Sequence, residues 1–213
     1  MATKIIYFVR HGETQSNAQN IRQGSTGPLT EKGRAQVFVT ALRFPKKRGG
    51  PEIIISSPYE RTKETAEILA KELDLEIEYS DLLMERRNPS EIVGHSGEEK
   101  SVQSIIDRID KGYHADDLRI SDEENFPDLK ARAKKLLEYI TKRKEKKIIM
   151  VTHGLFLKMI ASFVLYGEEL NASTYNSLSY YNPIDNASMG IFKYTKHWFS
   201  KPKWEILTWN DLN

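Results

Sequence analysis

Two distant stretches of the chain share one layout, in which a short apolar run ends at a histidine that is followed by glycine. The first is IIYFVRHG at residues 5–12, and the second is IIMVTHG at residues 148–154. Apolar runs of this length, bounded by charge or glycine, are typical of strands buried on both faces of a parallel sheet. The shared layout therefore predicts two parallel strands of one α/β sheet, from Lys4 to Val9 and from Lys147 to Val151.

The rest of the chain alternates between strand and helix patterns. EIIIS (residues 52–56) and LEIEY (residues 75–79) are predicted strands, and two further strands are predicted within residues 186–211. A helix is predicted at residues 129–142. Strands that alternate with helices indicate a mostly parallel sheet with helices on both faces.

Two more helices are predicted from the residues that can cap them. Ser57 can cap a helix that has proline at its first position and glutamate three residues after the cap, which is the spacing of a capping box. Thr30 can cap an earlier helix. The apolar face of that earlier helix is predicted to consist of Ala35, Phe38, Ala41 and Leu42.

Length and composition indicate one domain, 1–213, in a reducing compartment. The 213 residues include 32 basic and 30 acidic side chains, and the net charge of +2 implies no attraction to nucleic acid or to a membrane. The absence of cysteine excludes disulfides and thiolate metal sites. A strand that begins by residue 4 leaves no room for a signal segment, and no apolar run reaches transmembrane length. We therefore expect a cytoplasmic protein.

Four cationic or nucleophilic side chains lie near the predicted strand ends: Arg10, His11, Arg61 and His153. Ligands of open α/β sheets bind outside the carboxyl ends of the strands, and the helix N-termini there favour anions. Guanidinium groups bind phosphate oxygens in a bidentate manner that lysine cannot match. The four side chains together therefore predict a phosphate pocket.

Each of these residues also has a structural interpretation. A single buried histidine is more often a hydrogen-bonded core residue than a catalyst, and a single arginine at a strand or helix end is usually solvated. A metal site formed by His11 and His153 is an alternative, but Arg10 and Arg61 would repel a cation. Each of the four structural interpretations is reasonable alone. Together they explain poorly why all four residues lie near predicted strand ends.

Four sequence blocks carry a resemblance to a known family: VRHGETQSN (9–17), GPLTEKGRAQ (27–36), SSPYERTKETA (56–66) and MVTHG (150–154). In this order they resemble the histidine phosphatase superfamily, the phosphoglycerate-mutase-like group. DNASMGIF and WEILTWND are similar to its terminal strands. The resemblance implies a three-layer α/β/α sandwich and catalysis through a phosphohistidine, with no metal and no cofactor.

The resemblance also implies roles for individual residues. His11 would be the nucleophile, with Arg10, Arg61 and His153 completing the phosphate pocket. Neighbouring arginines should keep the His11 imidazole neutral, because they raise the energy of a second positive charge. Asn17 matches the family asparagine that contacts the phosphoryl group.

Four further residues are predicted to act on the substrate. Glu85 falls where the family places its acid, and a carboxyl held partly protonated beside apolar groups could protonate the leaving oxygen. Gly24 is predicted to contact the substrate. Arg86 and Arg87 could bind a second anionic group, or could merely be solvated charges on a lid.

The segment 84–128 is the least regular part of the chain, with several glycines around weak helix patterns. Long irregular segments of compact domains are usually functional. We therefore expect residues 84–128 to form a lid that sets specificity. A surface insertion without a role is the alternative.

The residues after Glu85 bear on the reaction. Family mutases tend to carry Glu-Arg-His-Tyr-Gly there and an arginine pair further on, whereas this chain has Glu-Arg-Arg-Asn-Pro and no such pair between 90 and 145. The difference favours a phosphatase that acts on a small phosphorylated metabolite. A mutase-type isomerase and a catalytically idle phospho-ligand-binding module remain the alternatives, and the protein could be a monomer or a homodimer.

Overall fold

The computed structural model describes residues 2–46, 49–112, 119–196 and 201–212. The strands are β1 (Ala2–Arg10), β2 (Ile53–Ser56), β3 (Ile77–Tyr79), β4 (Lys147–Thr152), β5 (Met189–Lys196) and β6 (Lys203–Asp211). The helices are α1 (Gln15–Ala18), α2 (Glu31–Leu42), α3 (Glu60–Leu73), α4 (Lys100–Gly112), α5 (Phe126–Lys142), α6 (Gly154–Tyr166) and α7 (Ala172–Tyr181). Short 3₁₀ turns lie at Asp81–Leu83, Ser90–Ile92 and Gly167–Glu169.

The six strands form one sheet in the order β3-β2-β4-β1-β5-β6. Strands β3, β2, β4 and β1 are parallel neighbours, while β5 runs antiparallel to β1 and β6 antiparallel to β5. The predicted mostly parallel sheet is thereby confirmed, including the two strands expected near the end of the chain.

Helices cover both faces of this sheet. Ile6 and Phe8 of β1 belong to a core with α5 and α6, whereas Val9 of the same strand packs in a second core with α2 and α3. Strand β4 alternates in the same way, since Met150 lies in the first core and Val151 in the second. The α/β class and its three layers are confirmed, and the continuous apolar runs are explained by burial on both faces.

Helix α2 begins after the predicted cap, and the Thr30 side chain accepts a hydrogen bond from the Gly33 amide. The predicted apolar face was mostly wrong, because Phe38 and Leu42 are 44% and 55% exposed. Gly33 sets the phase of the helix. A Cβ atom there would lie 2.1 Å from the Glu13 carbonyl oxygen, so this side of α2 must face inward. The buried Val37, Thr40 and Ala41 continue that side.

Helix α3 begins at Glu60, with Tyr59 as its N-cap and no side-chain capping bond. The predicted cap at Ser57 was therefore wrong. The Ser57 hydroxyl is instead within hydrogen-bond distance of a histidine, as described below, and the Glu60 carboxylate accepts from the Gly27 amide at 2.7 Å.

The segment 84–128 is more regular than predicted. It contains the 13-residue helix α4, in which Val102, Ile105, Ile106 and Ile109 follow helical spacing. Val102 and Ile109 are buried. Residues 113–118 of this segment lie outside the described residues. None of the helices in the described ranges is long and apolar enough to cross a membrane.

Candidate active site

The parallel register of β1 and β4 brings the two histidines together. Arg10 pairs with Thr152, and the next residue, His11, donates its backbone N–H to the Thr152 carbonyl at 3.1 Å. The centres of the His11 and His153 rings are 5.3 Å apart. The repeated strand-histidine layout of the sequence is thus the signature of two adjacent strand ends at one sheet edge.

A cavity of about 270 Å³ opens at this edge. Among the residues that line it are Arg10, His11, Asn17, Arg22, Arg61, Glu85 and Lys158. His153 lies directly behind it and has no exposed surface. The structure therefore brings together the predicted nucleophile, both predicted arginines, the predicted acid and the predicted asparagine.

His11 is held in one tautomer by its neighbours. Its Nδ1 lies 2.8 Å from the Gly12 carbonyl oxygen, which can only accept, so Nδ1 carries the proton. Its Nε2 accepts a hydrogen bond from Arg61 Nε at 3.2 Å, and this ring nitrogen therefore keeps its lone pair. Burial, then Arg61 and Arg10, hold the His11 pKa well below its ordinary value. The result is a neutral imidazole with a nucleophilic nitrogen beside the cavity.

Gly12 is required for this arrangement. A Cβ atom at Gly12 would lie 2.6 Å from the Gly33 carbonyl oxygen and 2.9 Å from Val37 Cγ2. A side chain here would push the chain away from α2 and displace the carbonyl that orients His11. The glycine after the histidine is explained by this close approach.

His153 is oriented in the opposite sense. Its Nε2 lies 2.9 Å from the Ser57 hydroxyl, while its buried Nδ1 has no hydrogen-bond partner within the described part of the chain. Burial comes first and Arg61 second in holding the pKa of His153 well below its ordinary value. The Tyr59 ring packs edge-on against the imidazole with 5.2 Å between ring centres.

Both predicted arginines are fixed by backbone carbonyls. Arg61 is 2% exposed and donates from Nη1 to the Gly24 carbonyl at 2.8 Å. Arg10 donates from Nη1 to the Ile184 carbonyl. Burial lowers the pKa of Arg61 to about 10, which leaves the guanidinium charged at neutral pH. The Gly24 carbonyl thereby holds the Arg61 guanidinium in place.

Asn17 is oriented by three hydrogen bonds to its Oδ1. These come from the backbone N–H of Thr14 at 3.2 Å, the Thr14 hydroxyl at 3.0 Å and Asn186 Nδ2 at 3.2 Å. Because the oxygen is used within the protein, the amide nitrogen of Asn17 is the group that can donate to a ligand in the cavity.

Glu85 lies at the N-terminus of α6, and its carboxylate accepts backbone hydrogen bonds that were not predicted from the sequence. Its Oε1 accepts from the amides of Arg86 and Phe156, both at 2.9 Å, and its Oε2 accepts from the amide of Leu155 at 3.1 Å. Each carboxylate oxygen has two acceptor positions. Oε2 therefore has one further position, and it is the oxygen that could carry or accept a proton in the cavity.

The two arginines after Glu85 differ in position. Arg86 lines a second cavity of about 310 Å³. Arg87 is exposed and donates from Nε to the Asp122 carbonyl at 2.6 Å, and it lines neither cavity. The structure thus separates two residues that the sequence analysis treated as a pair.

Several residues of the site were not identified from sequence. Ser57 was assigned to a helix cap, and Asn186, which donates from Nδ2 to the His11 carbonyl at 3.1 Å, lies in an unremarkable loop. Arg22 and Lys158 also line the cavity. Lys158 had a usable signal, because it is the one charged residue of the otherwise apolar segment GLFLKMIASFVLY, one turn after Gly154.

The cavity favours an anion over a metal ion. Within the described ranges, no three histidine, aspartate or glutamate side chains are grouped so that they could hold a metal ion. Arg10 and Arg61 lie beside His11, where their charge opposes a cation and attracts a tetrahedral oxyanion.

The model of the histidine phosphatase superfamily (branch 1) matches residues 6–212. This chain therefore belongs to that superfamily, as the sequence blocks indicated.

Curated relatives in the superfamily carry a mutase name. A Photorhabdus laumondii protein named "Probable phosphoglycerate mutase GpmB" is 39% identical over 128 residues, which are 54% of this chain and 58% of that protein. This alignment thus covers less than two thirds of the relative. An Escherichia coli protein of the same name is 32% identical over 169 residues, or 75% of this chain and 74% of the relative.

A solved structure with the same fold carries a phosphatase name. The mycobacterial glucosyl-3-phosphoglycerate phosphatase superposes with a TM-score of 0.78 at 22% sequence identity, over 98% of this chain and 99% of the other. At this identity the similarity establishes the fold alone.

Proposed function

We propose that this chain is a metal-independent phosphomonoester hydrolase that acts on a small phosphorylated metabolite through a phosphohistidine at His11. The observation that carries the proposal is the pair of hydrogen bonds on the His11 ring, from which its tautomer follows. Its protonated Nδ1 is bound to a backbone carbonyl, and its unprotonated Nε2 lies beside two guanidinium groups in an anion-attracting cavity.

The first step is in-line attack on phosphorus. The Nε2 lone pair forms the N–P bond while the P–O bond to the leaving group breaks. Arg61 now donates to Nε2, so this hydrogen bond must transfer to a phosphoryl oxygen before attack. Arg10, Arg61 and His153 Nδ1–H would then stabilise the charge on the equatorial oxygens.

The Ser57 hydroxyl supports this role of His153. If Ser57 donates to Nε2, the proton of the neutral ring is on Nδ1, the nitrogen without a protein partner. A neutral imidazole can then donate to a phosphoryl oxygen without a positive charge beside the two arginines.

Glu85 is proposed to complete both steps. A proton on Oε2 would pass to the departing alkoxide oxygen, and the resulting carboxylate would accept a proton from the water that attacks the N–P bond. The products are the alcohol, inorganic phosphate and free His11.

We also propose that the segment 84–128 is a lid. Asn88, Ile92 and Ile106 line the second cavity, and Gly94 donates its amide to the Arg22 carbonyl at 2.8 Å. The described part of the segment contributes Asn88 to the phosphate cavity and is tied to the loop before α2, which supports the proposed lid.

The names of the relatives favour one alternative, a mutase-type isomerase. A mutase would return the phosphoryl group from His11 to a second hydroxyl instead of to water. The alternative is kept because the phosphohistidine step is common to both reactions.

A chain that hydrolyses p-nitrophenyl phosphate without a bisphosphorylated primer is a phosphatase. Exchange of phosphate between positions that occurs only with primer would identify a mutase, and no turnover with retained phosphate binding would identify a binding module. In a series of phosphate esters, Glu85→Gln should slow esters of poor leaving groups most. Equal slowing of good and poor leaving groups would remove Glu85 as the acid.

A further inference from the structure

Arg132, on α5, is a mostly buried cation close to the proposed acid, and its side chain is 14% exposed. It donates from Nη1 to the carbonyls of Leu82 and Met84 at 3.3 and 2.6 Å, and from Nη2 to the Glu85 carbonyl at 3.5 Å. These carbonyls belong to the stretch of chain that leads from β3 to the proposed acid. Arg132 therefore binds the main chain that carries Glu85.

The same guanidinium also contacts the residue that binds the Glu85 carboxylate. Its Cζ lies over the ring of Phe156, with 3.8 Å between Cζ and the ring centre. Phe156 lies in the first turn of α6, and its amide donates to Glu85 Oε1 at 2.9 Å. Cation–π attraction holds a guanidinium against an aromatic ring. Arg132 thus links the main chain of Glu85 to a donor for its carboxylate.

Glu124 balances the charge of Arg132 from the far end of the segment 84–128. Its carboxylate, 16% exposed, accepts from Arg132 Nε at 2.7 Å and from Nη2 at 2.5 Å, in a bidentate arrangement. The Glu124 amide donates to the Arg87 carbonyl at 3.0 Å. The ion pair and this amide therefore join the two ends of the segment next to the proposed acid.

This set of partners requires a guanidinium. A carboxylate lies along one edge of the group, backbone carbonyls lie along another edge, and an aromatic ring lies against its face. The ammonium of lysine is a compact charge that cannot serve such a planar set. A general acid must stand within hydrogen-bond reach of its proton acceptor, and a displacement of about 1 Å can cost about 100-fold in rate. The contacts of Arg132 therefore bear on the chemistry of Glu85.

We propose that Arg132, paired with Glu124, is a positioning residue for Glu85 and holds the carboxylate where Oε2 can reach the oxygen of the leaving group. This inference rests on the proposed acid role of Glu85. Its loss should impair protonation of the leaving group and should spare phosphate binding and attack by His11.

The test compares phosphate esters of similar shape and increasingly poor leaving groups: p-nitrophenyl, phenyl and benzyl phosphate. Poor leaving groups depend most on a proton from the acid. Because kcat/KM excludes the later hydrolysis of the phosphoenzyme, it isolates this step. Arg132→Met should lower kcat/KM by about tenfold to 100-fold for benzyl phosphate and by less than about threefold for p-nitrophenyl phosphate. Arg132→Lys should show a smaller loss with the same pattern.

Arg143 provides a matched control for lost stability. Its side chain is 17% exposed and is paired with Glu78 and Glu145, but it lies before the start of β4, at the opposite end of that strand from His153. Both Arg132→Met and Arg143→Met remove one partner of a mostly buried ion pair and should destabilise the fold. Only Arg132→Met should change the dependence of kcat/KM on the leaving group.

A double variant shows whether Arg132 acts through Glu85. In a Glu85→Gln background, Arg132→Met should cause no further loss with benzyl phosphate, because the acid that it positions is already absent. A further loss as large as in the wild type would overturn the proposal. The same leaving-group dependence in Arg143→Met as in Arg132→Met would overturn it as well.

The failure of this inference can be distinguished from the failure of the proposed function. If Glu85→Gln discriminates between leaving groups and neither Arg132 variant does, the positioning role is wrong and the hydrolase stands. If the wild type hydrolyses none of the three esters, the hydrolase itself is wrong and the positioning role falls with it.

Discussion

The ends of β1 and β4 carry the same strand-histidine-glycine sequence but orient their histidines in opposite ways. His11 uses Nδ1 to bind a backbone carbonyl and presents Nε2, whereas His153 uses Nε2 to bind a hydroxyl and leaves Nδ1 without a protein partner. A carbonyl only accepts, so it fixes an N–H on the ring, while a hydroxyl can donate and leave that ring nitrogen unprotonated. In the proposed reaction, His11 would attack phosphorus and His153 would donate to the phosphoryl oxygens.

The surroundings of the two rings explain why both remain neutral. Each is buried, and each lies beside Arg61, so an added proton would be placed in a poorly solvated site next to a positive charge. The comparison shows that two equivalent strand ends gain different chemistry from a single neighbouring atom, the Gly12 carbonyl in one case and the Ser57 hydroxyl in the other.

The largest effect is expected for His11→Ala. Loss of the proposed attacking nitrogen should lower kcat by at least about 1,000-fold, because the proposed phosphoenzyme forms on His11. Steady-state hydrolysis of p-nitrophenyl phosphate measures the loss. His95→Ala is the control, since His95 is exposed and contacts Glu99. A His11→Ala variant with wild-type kcat would end the phosphohistidine account.

A smaller effect is expected for His153→Ala. Loss of one donor to the transition-state oxygens should lower kcat by about 100-fold to 1,000-fold, the usual effect of removing an oxyanion donor. The phosphoenzyme should still form at His11, but slowly, in rapid-quench experiments. If His153→Ala prevented phosphoenzyme formation and His11→Ala did not, the two roles would have to be exchanged.

Ser57→Ala should have a still smaller effect. Without the hydroxyl, the His153 ring can place its proton on either nitrogen, and kcat should fall by about fivefold to tenfold, the effect of one hydrogen bond. Ser57→Thr keeps a hydroxyl and should restore kcat, which a purely packing role would not predict. Because Ser57 acts through His153, Ser57→Ala in a His153→Ala background should cause no further loss.

The smallest effect concerns stability as a function of pH. Both histidines have a lowered pKa in the folded protein, so the unfolded chain takes up protons first as pH falls through about 6.5. The free energy of unfolding should therefore decrease below pH 6.5, by up to about 1.4 kcal/mol per pH unit for each histidine. Urea unfolding at pH 6.5 and 5.5 measures how the free energy of unfolding changes with pH in the wild type and in His153→Asn. Identical slopes would show that His153 is not buried in its neutral form.

Much of the fold followed from local sequence patterns. Continuous Ile/Val runs are specific for strands buried on both faces, so β1 and β4 were predicted at nearly their true bounds. The α2 face was not predictable in this way, because its phase depends on the contact of Gly33 with the backbone of Glu13. Helix α4 was underestimated although its isoleucines follow a clear helical spacing.

The residues of the candidate site also divide into those that were predicted from the sequence and those that were not. His11, His153, Arg10 and Arg61 lie at strand ends and helix starts, where topology alone brings them together. The structural positions of Ser57 and Lys158 depend on partners 96 and 21 residues away, and no local pattern records such contacts. The amide contacts of Glu85 were not predicted for the same reason, since two of its three donors, Leu155 and Phe156, come from α6.

The central claim is that the phosphoryl group is transferred to Nε2 of His11. The most direct measurement traps the phosphoenzyme by rapid alkaline quench, maps the modified peptide by mass spectrometry and assigns the ring nitrogen by ³¹P NMR. The account predicts one phosphoryl group, on His11 and at Nε2, in the wild type and in Ser57→Ala. The account would be contradicted by a phosphoryl group on His153 or on Nδ1 of His11. It would also be contradicted by an enzyme that turns over without a phosphoryl group on either histidine.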